Sequence, residues 1–204
     1  MSNKKFRCLL TSCIILAFPA LATAQFKVST DKPEVVKILE PDTGSGLANK
    51  NFRQKDWVEF ELKFKIEAAS KDKEFADKVV VEWKVAVKDP KNKGKFMLLE
   101  KEVIHVNVPI GEDVYSSVYL SPNSIQKITG GDDVSSSDYE QVGGVITVEG
   151  QQPVDTKKGF FSLKGSKIWW RNLQSNSSIQ LLKKNETPYQ NLWYSRYAEL
   201  EVER

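Results

Sequence analysis

The feature that most constrains the fold is a strict alternation of apolar and charged side chains along one stretch, Val58–Glu67. A period of two residues puts successive side chains on opposite faces, which predicts an antiparallel strand with one buried face and one face in water. The charged face is therefore predicted to be soluble surface. The apolar face holds Val58, Phe60, Leu62, Phe64 and Ile66, and the charged face holds Glu59, Glu61, Lys63, Lys65 and Glu67.

A second alternating stretch, Lys78–Lys88, follows after a short linker. One of its faces carries Trp83 and four valines, so Trp83 is predicted to lie in the core. We expect the apolar faces of the two stretches to pack against each other across a sandwich. The four valines are Val79, Val81, Val85 and Val87.

The rest of the chain also has the pattern of an all-β protein. Strand signals recur roughly every ten to fifteen residues between Pro or Gly breaks, and helical signal is confined to Ser121–Ile128, where Ser121 can cap and Pro122 suits the first helical position. A buried Trp after an alternating strand is typical of an immunoglobulin-like antiparallel β-sandwich, here with little helix. Further strands are predicted at residues 26–29, 35–39, 96–102, 103–108, 114–120, 142–149, 159–164 and 197–203, and a loop at 129–138.

The N-terminal segment has the pattern of a secretory signal peptide. Lys4, Lys5 and Arg7 precede an apolar run and the small-residue triplet Ala22–Ala24, which predicts cleavage after residue 24. We therefore expect residues 1–24 to be a leader and residues 25–204 to form a single β-sandwich domain. No later stretch approaches the ~18 consecutive apolar residues of a membrane helix, so the mature chain is not expected to span a membrane.

Loss of the leader changes both charge and redox chemistry. The chain has 30 basic and 27 acidic residues, and the leader carries three of the basic ones and no acid, which leaves 27 of each sign. A net charge of zero provides no long-range attraction to nucleic acid. Both cysteines, Cys8 and Cys13, lie in the leader, so the mature chain is expected to be cysteine-free.

The sequence identifies no catalytic, cofactor-binding or metal-binding residues, and we do not expect an enzyme. No G-x-S-x-G elbow or glycine-rich phosphate loop occurs. The single histidine, His105, is predicted to lie on a solvated strand face. The acidic residues Asp132, Asp133, Asp138 and Glu140 have the oxygen ligands that calcium prefers, but their spacing matches no EF-hand, so a solvated loop is expected.

Aromatic side chains are concentrated in the last third of the chain. Adjacent residues of an extended segment point in opposite directions, so at least one of Trp169 and Trp170 should lie near the surface or under a loop. Exposed aromatic rings can anchor a protein partner or stack on sugar rings. Trp169, Trp170, Trp193 and Tyr194 are therefore the candidate interaction surface, with packing in the core or at loop bases as the alternative.

Three motifs together resemble a known family: Val81–Val87, Tyr119–Pro122 with Ile125 and Ile128, and Glu186–Tyr189 leading into Leu192–Tyr197. The chain resembles the pilus-like secreted protein family known from Akkermansia and related verrucomicrobia, which is associated with a type IV pilus-like gene cluster. The resemblance implies an immunoglobulin-like fold, no enzymatic activity, and a role in or beside an extracellular pilus-like assembly. Because the leader lacks the Gly-Phe junction of true pilins, it also implies an accessory or surface component.

Two hypotheses of function follow. The leading one is a secreted structural or interaction protein with protein partners in the cell envelope or a pilus-like assembly, where self-association or strand addition at a sheet edge provides contacts. The alternative is a carbohydrate-binding module whose aromatic surface is a platform for a glycan. Both place the protein in the periplasm, on the outer-membrane surface or outside the cell.

Overall fold

Two antiparallel β-sheets pack face to face in the computed structural model, which describes residues 26–41, 53–154, 159–165 and 168–202. The predicted leader lies outside the described residues. The first sheet contains β1 (Phe26–Thr30), β2 (Glu34–Leu39), β3 (Asp56–Ala68), β6 (Asp113–Leu120) and β9 (Leu182–Lys183). The second contains β4 (Phe75–Lys88), β5 (Phe96–Pro109), β7 (Tyr139–Val148) and β8 (Phe160–Ser162). The described residues also form a helix, α1 (Pro122–Thr129), and short 3-10 turns at Trp170–Asn172, Lys184–Glu186 and Tyr194–Arg196.

The strand order is that of an immunoglobulin-like sandwich. In the first sheet, β3 pairs with β1 and β2 along one edge and with β6 along the other, while β9 extends β6. In the second sheet the order is β5-β4-β7-β8. The chain passes from the first sheet to the second between β3 and β4 and returns between β5 and β6. It passes to the second sheet again through α1, between β6 and β7, and returns between β8 and β9. The predicted all-β sandwich is therefore confirmed.

The core forms where the two alternating stretches face each other. Every apolar residue predicted on the inner faces of β3 and β4 is buried. The Trp83 ring meets the Phe161 ring edge to face, with centroids 5.1 Å apart, and its indole N–H donates to Ser116 Oγ on β6 at 3.3 Å. Trp83 thus packs against its own sheet and is hydrogen-bonded to the other one, as its predicted place in the core requires.

The helix α1 has the predicted start. Ser121 Oγ accepts a hydrogen bond from the Ser124 backbone N–H at 3.3 Å, Pro122 occupies the first turn, and Gly130 ends the helix in a left-handed conformation with φ of 78°. Its buried residues, Ile125 and Ile128, join the core between the sheets.

Two strand predictions differ from the structure. Residues 96–102 and 103–108 form one continuous strand, β5, because the alternation continues through their junction. The predicted strand at 197–203 is wrong for the described residues 197–202. Tyr197 bridges to Tyr115 of β6 and Leu200 bridges to His105 of β5, so this segment crosses from one sheet to the other instead of lying along either.

Within the described ranges, no helix is both long enough and apolar enough to cross a membrane.

Candidate functional site

The charged face of β3 is partly buried, which corrects the prediction that it is all soluble surface. Glu59 is only 6% exposed and Glu61 only 8% exposed. Residues 182–202 are here called the C-terminal strap. The strap begins with β9 at the edge of β6, and its residues Arg196 and Tyr197 cover the two glutamates on the face of the first sheet that points away from the second sheet. The prediction failed because period two shows which side chains share a face, and it cannot show that a distant segment covers that face.

Hydrogen bonds satisfy both buried carboxylates. The Tyr119 hydroxyl donates to Glu59 Oε1 at 2.6 Å, and the Tyr197 hydroxyl lies 2.6 Å from Glu61 Oε2 and 2.8 Å from Glu59 Oε1. The Arg196 guanidinium donates to Glu61 Oε1 and lies over the Tyr115 ring. The residues Glu59, Glu61, Tyr119, Arg196 and Tyr197 are called the carboxylate cluster below. Because charge-assisted hydrogen bonds to buried carboxylates are strong, this cluster fastens the strap to the sheet.

The pKa shifts within the carboxylate cluster keep its hydrogen bonds formed, which favours a structural role. Burial raises the pKa of Glu59, against the opposing effect of the hydroxyls that donate to it. Burial, followed by the Glu59 charge, also raises the pKa values of Tyr119 and Tyr197 above the ordinary range. Both phenols therefore stay protonated and remain hydrogen-bond donors at physiological pH.

A buried lysine supports the strap from within. Lys184 Nζ donates to the Tyr189 carbonyl at 2.7 Å and to the Leu192 carbonyl, and it lies 4.8 Å from the centre of the Tyr197 ring. Burial lowers the pKa of Lys184, while the Glu59 charge opposes the shift. The two carbonyl bonds hold the chain just before the turn that presents Trp193.

His105 is buried and is not on a solvated face, so that prediction is wrong. It is 1% exposed, its Nδ1 lies 3.1 Å from the Ala198 carbonyl oxygen, and its ring centroid lies 6.2 Å from that of Phe64. The Nδ1–H donates to that carbonyl, which leaves Nε2 buried without a hydrogen-bond partner among the described residues. Burial lowers the His105 pKa to about 4. The strap covers the histidine where Leu200 meets β5.

Trp193 and Tyr194, half of the candidate interaction surface, are exposed on the strap. Trp193 is 56% exposed and Tyr194 is 66% exposed. Trp193 has φ of 51°, a left-handed conformation that is uncommon for a bulky residue. A groove of about 190 Å³ lies beside Tyr194, and its lining also includes Asn185, Asn191, Leu200 and Val202.

Trp169 and Trp170, the other half, pack against the second sheet. The Trp169 indole lies above Gly143 of β7, and its Nε1 would be 3.3 Å from a Cβ at that position. Trp170 stacks on Phe160 with centroids 5.7 Å apart, and the two indoles meet edge to face at 5.3 Å. Both are partly buried. The structure therefore does not bring the four aromatic residues together into one platform.

Two of the four acidic residues in and beside the loop, Asp133 and Asp138, form ion pairs with lysines. Asp133 pairs with Lys37 of β2, and Asp138 pairs with Lys88 of β4 at 2.8 Å while accepting from Ser135. Over the described part of the chain, no group of three or more His, Cys, Asp or Glu side chains is arranged to hold a metal ion.

Sequence reasoning did not identify the groups that hold the strap. One local signal was available, because residues 194–197 read Tyr-Ser-Arg-Tyr and so combine phenols with a guanidinium, the donors that buried carboxylates require. Nothing in the sequence pairs that motif with Glu59 and Glu61, which are more than 130 positions away in the chain.

Known proteins resemble this chain over nearly its whole length. A model of a pilus-like protein family matches residues 19–204, a range that includes both sheets and the strap. A crystal structure of a protein from Akkermansia muciniphila superposes with a TM-score of 0.77 at 31% sequence identity, covering 89% of this chain and 96% of that one. No curated protein shows a significant match.

Proposed function

This chain belongs to the pilus-like protein family known from Akkermansia and related verrucomicrobia, and on that premise we propose that it is a secreted, non-enzymatic component or accessory of a pilus-like cell-envelope assembly. The family is one of pilus-associated structural proteins and is not a known enzyme family. In this proposal the leader is removed, and residues 25–204 act as one domain in the periplasm, on the outer-membrane surface or outside the cell.

Apart from family membership, the proposal is supported by a group of exposed apolar and aromatic side chains on the strap. We call this group the strap patch and define it as Leu192, Trp193, Tyr194 and Val202. All four side chains are exposed, although aromatic and aliphatic residues of this size are usually buried. Tryptophan and tyrosine are the residues that most often dominate binding energy at protein interfaces. The strap patch is therefore the proposed contact for a protein partner in the assembly.

The strap patch is also held in place before any partner binds. The turn after Trp193 is tied to the sheet by the Arg196–Glu61 ion pair, and the turn before it is tied by Lys184. A surface that is already ordered loses less conformational entropy on binding, which favours affinity. This fixed geometry supports a contact role for the exposed rings.

The carbohydrate alternative is not favoured. A sugar platform needs aromatic faces presented together, whereas Trp169 and Trp170 pack on each other and on Phe160 over the second sheet. Trp193 and Tyr194 lie on the strap over the first sheet, so the four rings do not combine.

Loss of the strap patch should release the partner. In intact cells, crosslinking followed by mass spectrometry should recover an envelope protein with the wild-type chain, and Trp193→Ala with Tyr194→Ala should reduce that recovery at least tenfold. The reason is that a truncated aromatic hot spot costs about 2 kcal/mol or more of binding energy. Thermal melting should be unchanged, because both side chains project from the surface.

The matched control is Phe75→Ala, which removes another exposed aromatic ring, at the start of β4 and outside the strap patch. It should leave the crosslinks intact. Undiminished recovery with the double variant would place the contact elsewhere, and recovery of the wild-type chain without any envelope protein would count against the assembly role itself.

A further inference from the structure

In the described part of the chain, the first sheet has a free edge, formed by β2. This strand pairs with β3 on one side, and no strand of the described residues pairs with its other side. By contrast, the edge of β1 is met by the Val154 N–H, and the edges of β5 and β6 are met by the strap. An open strand edge presents unpaired N–H and C=O groups to other chains.

The register shows which groups face outward. The Glu40 N–H donates to the Lys55 carbonyl oxygen at 3.0 Å, which shows that the backbone groups of Glu40 point toward β3. Every second residue of a strand directs its backbone groups to the same side, so those of Glu34, Val36 and Ile38 also point toward β3. Val35, Lys37 and Leu39 therefore direct theirs away from the sheet. Within the ranges that the structure describes, no hydrogen bond occupies these outward groups.

The side chains of β2 show how this edge can be occupied. Val36 is 40% exposed and Leu39 is more exposed, whereas edge strands are usually protected by unpaired charges or proline. The one lysine of the strand, Lys37, is already paired with Asp133. We infer that β2 pairs antiparallel with β2 of a second copy of this chain, which joins two first sheets into one continuous sheet.

Charge and parity select one register for this pair. In an antiparallel pair, two side chains directly opposite each other lie on the same face of the sheet. When the two strands are identical, a residue can therefore oppose only itself or a residue an even number of positions away. The two-fold axis must then pass between two copies of the same residue. An axis at Lys37 would place lysine opposite lysine and Glu34 opposite Glu40, and like charges in opposition are destabilising. An axis at Ile38 would place Val36 opposite Glu40.

An axis at Val36 sets no like charges in opposition, although, as with the axis at Ile38, one glutamate faces an apolar residue, here Glu34 opposite Ile38. It places Val36 opposite Val36 of the second copy and Lys37 opposite Val35, and it brings Lys32, just before β2, opposite Glu40. Because the outward groups of Val35 and Lys37 form the hydrogen-bonded pairs, the Val36 pair is of the non-hydrogen-bonded type, with Cα atoms about 4.5 Å apart. That distance lies within the range a disulfide can span.

A cysteine at this position provides a direct test. The protein should be produced with its own N-terminal segment, and Val36→Cys should form a disulfide between the introduced cysteines of two copies under mild oxidation, identified by mass spectrometry of the linked peptide. The matched control is Val202→Cys, which replaces a valine that is more exposed but lies on the strap. We expect Val36→Cys to crosslink at least tenfold faster.

A charge on the edge provides the complementary test. Val36→Lys should weaken self-association of the wild-type chain at least tenfold in sedimentation equilibrium, because it sets two ammonium groups in opposition. Leu39→Lys serves as a second variant if Val36→Lys does not melt like the wild type. The inference would be overturned if the wild-type chain is monomeric, or if the lysine substitution leaves self-association unaffected. It would also be overturned if the two cysteine variants crosslink at equal rates, or if the Val36→Cys variant forms its disulfide with a different protein.

The inference rests on the proposed role in an assembly, but its outcome is separable from that of the strap patch. Val36→Lys should leave the Trp193-dependent crosslink to an envelope protein intact. Loss of self-association alone would therefore leave the proposed partner contact standing, and loss of the partner with the Trp193 variant would leave the β2 pair standing.

Discussion

At the scale of single residues, the carboxylate cluster shows when a charged side chain can be buried. Glu59 and Glu61 lie opposite Tyr119 and Ser117 of β6, so the neighbouring strand supplies a donor on the same face. The strap supplies the remaining donors, Arg196 and Tyr197. Burial of a carboxylate costs little when hydrogen bonds and a countercharge replace water, and much when they do not.

Removal of one hydroxyl from this cluster should therefore be measurable. Tyr197→Phe deletes the hydroxyl that lies between Glu59 and Glu61 and leaves the buried pair one donor short, which should lower the free energy of unfolding by about 1 to 3 kcal/mol. Denaturant unfolding provides the measurement. Tyr194→Phe removes the same atom from an exposed ring and should change stability by less than about 0.5 kcal/mol. Equal effects in the two variants would show that the buried bonds contribute nothing.

At the scale of elements, the pairing of β4 with β7 depends on a glycine opposite the central tryptophan. Gly144 pairs with Trp83, and a Cβ at Gly144 would lie 1.9 Å from the Glu82 carbonyl oxygen and 2.7 Å from the Phe161 ring. Glycine thus leaves the space in which Phe161 meets Trp83. A side chain at this position would force the two strands apart.

Gly144→Ala should consequently destabilise the protein by at least about 2 kcal/mol, because the obstructing atom belongs to the backbone and cannot rotate away. The same substitution at Gly131, where the nearest atom is 4.0 Å from the new Cβ, should change the free energy of unfolding by less than about 0.5 kcal/mol. Thermal melting of both variants tests this. A melting temperature for Gly144→Ala equal to that of the wild type would refute the close approach of β4 and β7.

At the scale of the whole molecule, the strap closes the gap between the sheets on one side. Its Ala198 N–H donates to the Tyr115 carbonyl of β6 at 3.1 Å, and its Glu201 N–H donates to the Ile104 carbonyl of β5 at 3.0 Å. His105 lies beneath this crossing and donates to the Ala198 carbonyl. Closure of the sandwich thus depends on a histidine that is buried in its neutral form.

Stability should therefore depend on the protonation of His105. Its pKa is about 4 in the folded state and about 6.5 in an unfolded chain, so the unfolded chain binds more protons between these values. Stability that is present above pH 6.5 is lost as the pH falls toward 4, by about 3 kcal/mol at about 1.4 kcal/mol per pH unit. Denaturant unfolding of the wild type between pH 7 and pH 4 measures this loss.

His105→Leu isolates this contribution, since the chain has a single histidine. The raised pKa of Glu59 has the opposite effect, because the folded protein becomes more stable as this buried carboxylate is protonated at low pH. Glu59 is present in both the wild type and the variant, so its effect cancels in the comparison. The difference in unfolding free energy between wild type and variant should therefore fall by about 3 kcal/mol from pH 7 to pH 4. Parallel curves would show that His105 does not titrate with folding.

The sequence alone determined the sandwich, because period two in β3 and β4 gives each strand an apolar face that must be covered, and a chain with so little helical signal can cover it only with another sheet. It also determined the start of α1, since Ser121 and Pro122 act within one turn of chain. These features depend on neighbours in sequence, and a single sequence displays such neighbours directly.

The tertiary structure alone decided which polar residues are buried. Glu59, Glu61 and His105 occupy positions that the pattern assigns to water, and the strap takes them out of water with donors and carbonyls from residues 196–198. Likewise, only the strand order leaves β2 with a free edge among the described strands and separates Trp169 from Trp193. The physical reason is that periodicity specifies which face of a strand a residue occupies, whereas a segment distant in sequence decides what covers that face.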